Sequence, residues 1–256
     1  MADAQPRPPE LFLYLLRLAD DRLVLGHRLS EWCGHGPILE EDIALANIAL
    51  DLIGEATLLF KLAGEVEGAG RNEDALAYFR DAIDYRNSLL TELPKGDFAF
   101  TIVRQFFFSV FSLLQMEALQ RSTNAELSGI AAKAVKEARY HVRHSAQWVV
   151  TLGDGTAESH ARAQRSVDEL WRYTGELFMA DDVDREVAAA GLGVDPSTLA
   201  DAWRTQVDDV LKSATLTVPD TGYMQRGGRE GRHTEHLGHL LSEMQILARS
   251  HPGATW

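Results

Sequence analysis

Glu137 and His141 are a carboxylate and an imidazole four residues apart, in the run Lys136-Glu137-Ala138-Arg139-Tyr140-His141. On a helix they share one face, and such donors can ligate a transition metal. They fall on the stripe Ile130, Ala134, Glu137, His141 and Trp148, which aims them inward. Asp51 and Glu55 repeat the spacing, and Asp20 with Asp21 adds two more acids. Four-helix carboxylate proteins hold two irons with one Glu from each of two helices and Glu-x-x-His from each of the other two. Here that set is broken. Three residues after Glu137 stands Tyr140, so the histidine comes one position late, and three after Asp51 stands Gly54. The apolar stretch that would form the remaining helix offers Arg104 and Gln105, with no carboxylate before Glu117. The expectation is a degenerate metal site at Asp20, Asp51, Glu55, Arg104, Gln105, Glu137, Tyr140 and His141, where ion pairs replace iron. Neither metal ligands nor catalytic residues are expected in this chain. Arg104, with Arg17 or Arg139, is the expected partner of the acids. Unpaired buried carboxylates are costly, so Arg104→Met should destabilise the fold by about 3–5 kcal/mol.

The elements that must position these residues are helical nearly throughout. Bundle helices are predicted over about 11–33, 38–66, 98–121 and 125–152, with further helices across 157–250. Gly34 closes the first, and Gly36-Pro37 leads into the second. Helix 38–66 has two apolar stripes, one through Ala46, Ala49, Ile53, Ala56 and Phe60, which suggests a central position. Asn72 caps a crossover helix reaching about Glu92, and Asn124 caps the fourth bundle helix. One helix is read over 157–179, another after Asp195-Pro196, and a last one from near Thr234; Thr215–Val218 is the one strand-like stretch. Four long helices with one long crossover make a ferritin-like arrangement. The fold class is therefore all-α: a ferritin-like four-helix bundle with additional C-terminal helices, in a single domain over 1–256. Residues 1–9, with Pro6, Pro8 and Pro9, are expected to be flexible.

The 25 basic and 38 acidic residues give a net charge of −13, which argues against nucleic acid as a partner. The single cysteine, Cys33, excludes a disulfide scaffold and a multi-cysteine metal site. It reads as a small, half-buried residue at a helix end. No secretory signal and no uncharged run of about 18 apolar residues is present. A cytoplasmic protein with no membrane partner is expected. His233, His236 and His239 could share a structural metal with one more ligand, but capping and interface roles explain them as well. Gly227, Gly228 and Gly231 lack the strand and lysine of a nucleotide loop. In the crossover, Asp84, Tyr85, Arg86 and Asn87 form a polar segment whose Arg86 and Asn87 could bind a phosphate or amide of an acyl-CoA. Trp171, Tyr173, Phe178 and Trp203 read as core.

Several runs together carry a family resemblance: Glu31-Trp32-Cys33-Gly34-His35, Ala44-Leu45-Ala46-Asn47-Ile48-Ala49-Leu50-Asp51-Leu52, Lys136 to His141, Leu170 to Phe178, and His233-Thr234-Glu235-His236-Leu237-Gly238. From about Leu13 to Trp256 the chain resembles the C subunits of bacterial phenylacetyl-CoA ring 1,2-epoxidases, also called phenylacetate-CoA oxygenases. The resemblance implies a ferritin-like subunit without working iron ligands. It also implies a homologous A subunit that carries the di-iron centre, B and reductase subunits in the wider system, and ring epoxidation in aerobic phenylacetate catabolism. Such C subunits share Glu-Ala-Arg-Tyr-His, so Tyr140 fits the family, whereas His144 and the proline-bearing N-terminus are less typical. Acyl-CoA contacts would be sought at Asp84–Asn87. Two other functions remain open on the residues alone: a di-iron oxidase in its own right, and a helical adaptor unrelated to oxygenases.

Overall fold

A computed structural model describes residues 9–220 and 222–254. The expectation for residues 1–9 falls mostly outside that range, although Pro9 already opens α1 (Pro9–Ser30). α1 forms because Leu11, Leu15, Leu18, Leu25 and Leu29 fall on one face at spacings of four, three, seven and four, and all five are buried. Turns and Gly34, at φ +77°, reverse the chain into α2 (Leu39–Glu67). Gly68, at φ 71°, ends α2 by returning its N–H to the Gly64 carbonyl. α5 (Phe98–Leu119) and α6 (Ala125–Gly153) start at Asp97 and Asn124, whose side chains accept from the N–H groups of Phe100 and Leu127. These four helices match the sequence expectation to within a few residues.

α1 packs along α2 and α5 along α6; the two pairs meet more sparsely where α2 faces α6. Two apolar clusters fill the interior. One gathers Leu25 and Leu29 of α1, Leu45–Leu52 of α2 and Ile102–Phe111 of α5 around Trp171 and Trp203. The other gathers Leu11–Val24, Ala56–Ala63, Met116, Leu119 and Leu127–Val135. The clusters divide at mid-bundle, where each helix contributes polar residues. The four aromatics read as core behave so: Trp171 and Trp203 are buried against Phe107, Phe178 packs on Trp203, and Tyr173 flanks the cluster.

Elsewhere the chain departs from its periodicity. The crossover helix stops early: α3 spans only Glu73–Tyr78, followed by a 3₁₀ turn (Ala82–Asp84), an extended stretch and the single turn α4 (Leu89–Glu92). Carboxylates from other elements take the N–H groups of Arg86, Ser88 and Leu89, which a helix would have used internally. The helix read over 157–179 divides into α7 (Ala157–Trp171) and a 3₁₀ turn (Gly175–Phe178). α8 (Asp182–Ala189), missed in the periodicity, starts from a capping box between Asp181 and Asp184. After the 3₁₀ turn Pro196–Leu199 come α9 (Ala200–Ser213) and finally α10 (Glu235–Ser250). Thr215–Val218 is no strand; the Thr217 N–H donates to the Gln164 side chain instead. No strand occurs among the described residues.

By length and mean hydropathy α2 and α5 could each cross a membrane. In the fold 78% of the most apolar window of α5 is buried, but only 50% of that of α2. α2 is therefore an outer helix rather than the central one its two apolar stripes suggest.

Candidate functional site

The polar layer that divides the two cores is built around Arg22. It occupies the inward line of α1 between Leu18 and Leu25 and is fully buried. Its Nε donates to Glu55 Oε2 of α2 at 2.7 Å, and Nη2 donates to Ser112 Oγ and Gln115 Oε1 of α5 at 3.1 and 3.5 Å. Nη1 donates to the Leu18 carbonyl at 2.9 Å. One guanidinium thus ties three bundle helices at the level where a ferritin-like protein places metal.

α6 completes the layer. His141 Nε2 and Asp51 Oδ2 lie 3.0 Å apart, joining α6 to α2. Glu137 lies 3.6 Å from the exposed Lys133, while its other oxygen, Oε2, is buried without a hydrogen-bond partner. Burial raises the Glu137 carboxyl above the usual range; Lys133 opposes the shift, and Asp51 and Glu55 add to it. A second α2–α6 tie, His144 to Glu41 at 2.8 Å, went unread in the sequence.

The structure thus brings together Asp51, Glu55, Glu137 and His141 and places the other expected positions elsewhere. Asp20 turns away to a buried ion pair with Arg80 and accepts from the Arg86 N–H. Tyr140 is partly exposed and packs by its ring against His141 and His144. Gln105 lies deeper in α5, donating to Ser109 Oγ at 2.9 Å.

Arg104 is the clearest correction. It is fully buried yet meets no carboxylate; Nη1 donates to the carbonyls of Leu93 and Pro94, and Nε and Nη2 have no partner. Burial, reinforced by the charge of Arg28, brings its pKa down to about 9. Nor do the other cations named with it join the layer. Arg17 bridges Asp181 and Asp184, and Arg139 pairs with Glu117 at the surface. The cation in the layer is Arg22. The spacing of Leu11, Leu15, Leu18, Leu25 and Leu29 could have revealed it, because position 22 fills the gap in that line.

This donor set does not fit a pair of irons. Its acids come from α2 and α6 alone; α1 supplies a cation already bonded to Glu55, and α5 supplies a hydroxyl and an amide. Two irons require several carboxylates to balance their charge and fill their coordination. The arrangement instead suits a neutralised polar layer.

A second polar assembly joins the crossover to the loop before α10. Glu92 is fully buried and takes Asn87 Nδ2 at 2.9 Å, His233 Nδ1 at 2.7 Å and the Thr234 N–H at 2.6 Å. Glu176 accepts the N–H groups of Leu89, Gly227 and Gly228 at 2.7, 2.7 and 2.8 Å. Asp21 accepts the Ser88 N–H and pairs with Arg229. Gly228 sits so close to the crossover that a Cβ there would lie 2.1 Å from the Asn87 carbonyl oxygen.

The segment 84–87, read as a place for acyl-CoA contacts, lies against this assembly. Tyr85 and Asn87 are fully buried, and the Arg86 guanidinium donates to the carbonyls of Ile83 and Tyr85. Asp84 is exposed and caps its own turn. Tyr85, Arg86 and Asn87 are thus bonded within the fold, and Asp84 is the residue of the segment that faces solvent. The histidines of the last helix do not converge either: His233 turns inward to Glu92, and His239 is exposed. Cys33 is exposed rather than half-buried. Glu92, Glu176 and Arg229 were not singled out in the sequence, and no local spacing marks them.

A family described as Phenylacetic acid catabolic protein matches residues 2–256. Over 247 residues the chain is 47% identical to the C subunit of the 1,2-phenylacetyl-CoA epoxidase of Escherichia coli (strain K12), spanning 96% of this chain and 99% of that relative.

Proposed function

The chain belongs to the phenylacetic acid catabolic protein family, and from that premise we propose that it is the non-catalytic C subunit of a multicomponent di-iron monooxygenase that epoxidises the ring of phenylacetyl-CoA. Similarity to the Escherichia coli relative along nearly both whole lengths supports the system. The observation that carries the non-catalytic role is Arg22, which stands in the ligand layer and is bonded to Glu55. A homologous A subunit holds the di-iron centre and supplies the oxygen chemistry; B and reductase subunits serve it. This chain contributes a rigid bundle of matching architecture that pairs with the A subunit and stabilises it. Because the segment 84–87 is committed to internal bonds, we assign this chain no acyl-CoA contact through it.

Iron analysis after anaerobic loading tests this, with the chain purified alone and together with the A subunit. Iron and epoxidase activity should follow the A subunit, and the two chains should co-purify. About two irons in the isolated chain would make it an oxidase in its own right. Failure to form any stable complex would favour the adaptor reading.

A further inference from the structure

α3 and the end of α10 leave a groove of about 630 Å³ between them, within the size range of small-molecule sites. Tyr78 and Phe79 of α3 line it together with Met244 and Leu247 of α10. Phe79 and Leu247 are 47% and 54% exposed, so the described residues leave apolar surface there in water. None of these side chains belongs to the mid-bundle layer or to the clamp around Glu92 and Glu176.

Three features of the groove favour positive charge. Asp74 lines it one helical turn before Tyr78, is exposed, and joins no ion pair among the described residues. Burial and the charge of Asp74 both raise the Tyr78 hydroxyl above its ordinary pKa, which sets the carboxylate near that ring. Aromatic rings attract cations, and Tyr78 and Phe79 supply two. α10 also ends here: Leu247, Ala248 and His251 line the groove, and a helix C-terminus carries partial negative charge. The arginines adjoining this corner are committed elsewhere. Arg71 pairs with Glu67, and Arg249 is bonded to Asp81 and to the carbonyls of Tyr78 and Arg80. We propose that this groove binds a small organic cation, an ammonium group on an apolar or aryl body, with Asp74 and the end of α10 holding the charge and Phe79, Met244 and Leu247 taking the body. An organic anion would meet the same carboxylate and carbonyls, and a neutral arene would leave them unanswered.

The test titrates the full chain with benzylammonium, benzyl alcohol and benzoate, three probes of similar shape and different charge, and follows backbone amide chemical shifts. Benzylammonium should move the amides of residues 74–79 and 244–251 and bind about tenfold more tightly than benzyl alcohol, with benzoate weaker still. Asp74→Asn should remove most of that preference, and added salt should shrink it in the wild-type chain. Leu247→Ser should weaken benzylammonium and benzyl alcohol alike; it alters one exposed side chain and carries the test if Asp74→Asn disturbs α3. Equal binding of the three probes would make the groove an apolar crevice and overturn the proposal. A preference for benzoate, an unchanged preference in Asp74→Asn, shifts centred away from the groove, or no saturable shift with benzylammonium would each overturn it too.

Discussion

The mid-bundle layer and the clamp around Glu92 and Glu176 are both made of buried carboxylates, yet they are satisfied to different degrees. In the clamp every acid has several donors: Glu176 receives three backbone N–H groups, and Glu92 receives an amide, an imidazole and an N–H. In the layer, Glu55 is answered by a guanidinium, whereas one oxygen of Glu137 is buried with no partner. The clamp has the economy of a structural device. The layer has carboxylates and an imidazole that one arginine neutralises only in part. Metal-like residue types at metal-like spacing thus mark the less tightly satisfied region, and the more tightly satisfied one carries no recognisable motif.

The largest effect should come from the clamp. Glu176→Ala strands three buried N–H groups and should cost about 4–6 kcal/mol, measured by urea unfolding. A cost below about 1 kcal/mol would mean that water replaces the carboxylate and would erase the contrast. Next, Arg22→Met leaves Glu55 buried and unpaired and should cost about 3–5 kcal/mol. Adding Glu55→Leu should recover most of that loss, because an apolar pair can replace a buried ion pair. No recovery in the double variant would show that Ser112 and Gln115 depend on Arg22 as much as Glu55 does.

Arg104→Met should change stability by less than about 1.5 kcal/mol, against the 3–5 kcal/mol expected from the sequence. It removes bonds to two carbonyls but also relieves a buried, half-satisfied charge. A large loss would place Arg104 among the structural cations. The smallest effect belongs to Glu137→Gln. A carboxyl raised in the fold keeps its proton to higher pH than it does in the unfolded chain, so stability falls as pH climbs from the unfolded value through the raised one. The amide removes that dependence. The stability of the variant relative to wild type should therefore grow across that window and level off above it, as followed by melting temperature against pH. A difference that is flat with pH would show that Glu137 titrates alike in both states.

The bundle was legible because its helices bury apolar lines over many turns and have side-chain caps such as Asn124. The crossover was not. Its composition is helical, but its N–H groups are claimed by Asp20, Asp21 and Glu176, which are distant in sequence. The polar layer was half legible. Asp51, Glu55, Glu137 and His141 meet as their spacing implies, but the arginine among them is Arg22 and not Arg104. α5 is apolar on all sides, so periodicity cannot orient Arg104, whereas position 22 fills the gap in the buried line Leu11, Leu15, Leu18, Leu25 and Leu29 of α1.

α1 buries Arg17, Asp20, Asp21, Arg22 and Arg28. Their partners include Asp184, Arg229 and the His236 carbonyl, 167 to 208 residues further along. A ribosome releases those residues on the order of ten seconds or more after α1. During synthesis the first helix is therefore an unfinished amphiphile, with ionic groups in its own apolar seam, and it can seat fully only when the last tenth of the chain arrives. The end of translation acts as the latch, and a message truncated before Arg229 would encode a bundle whose first helix cannot close.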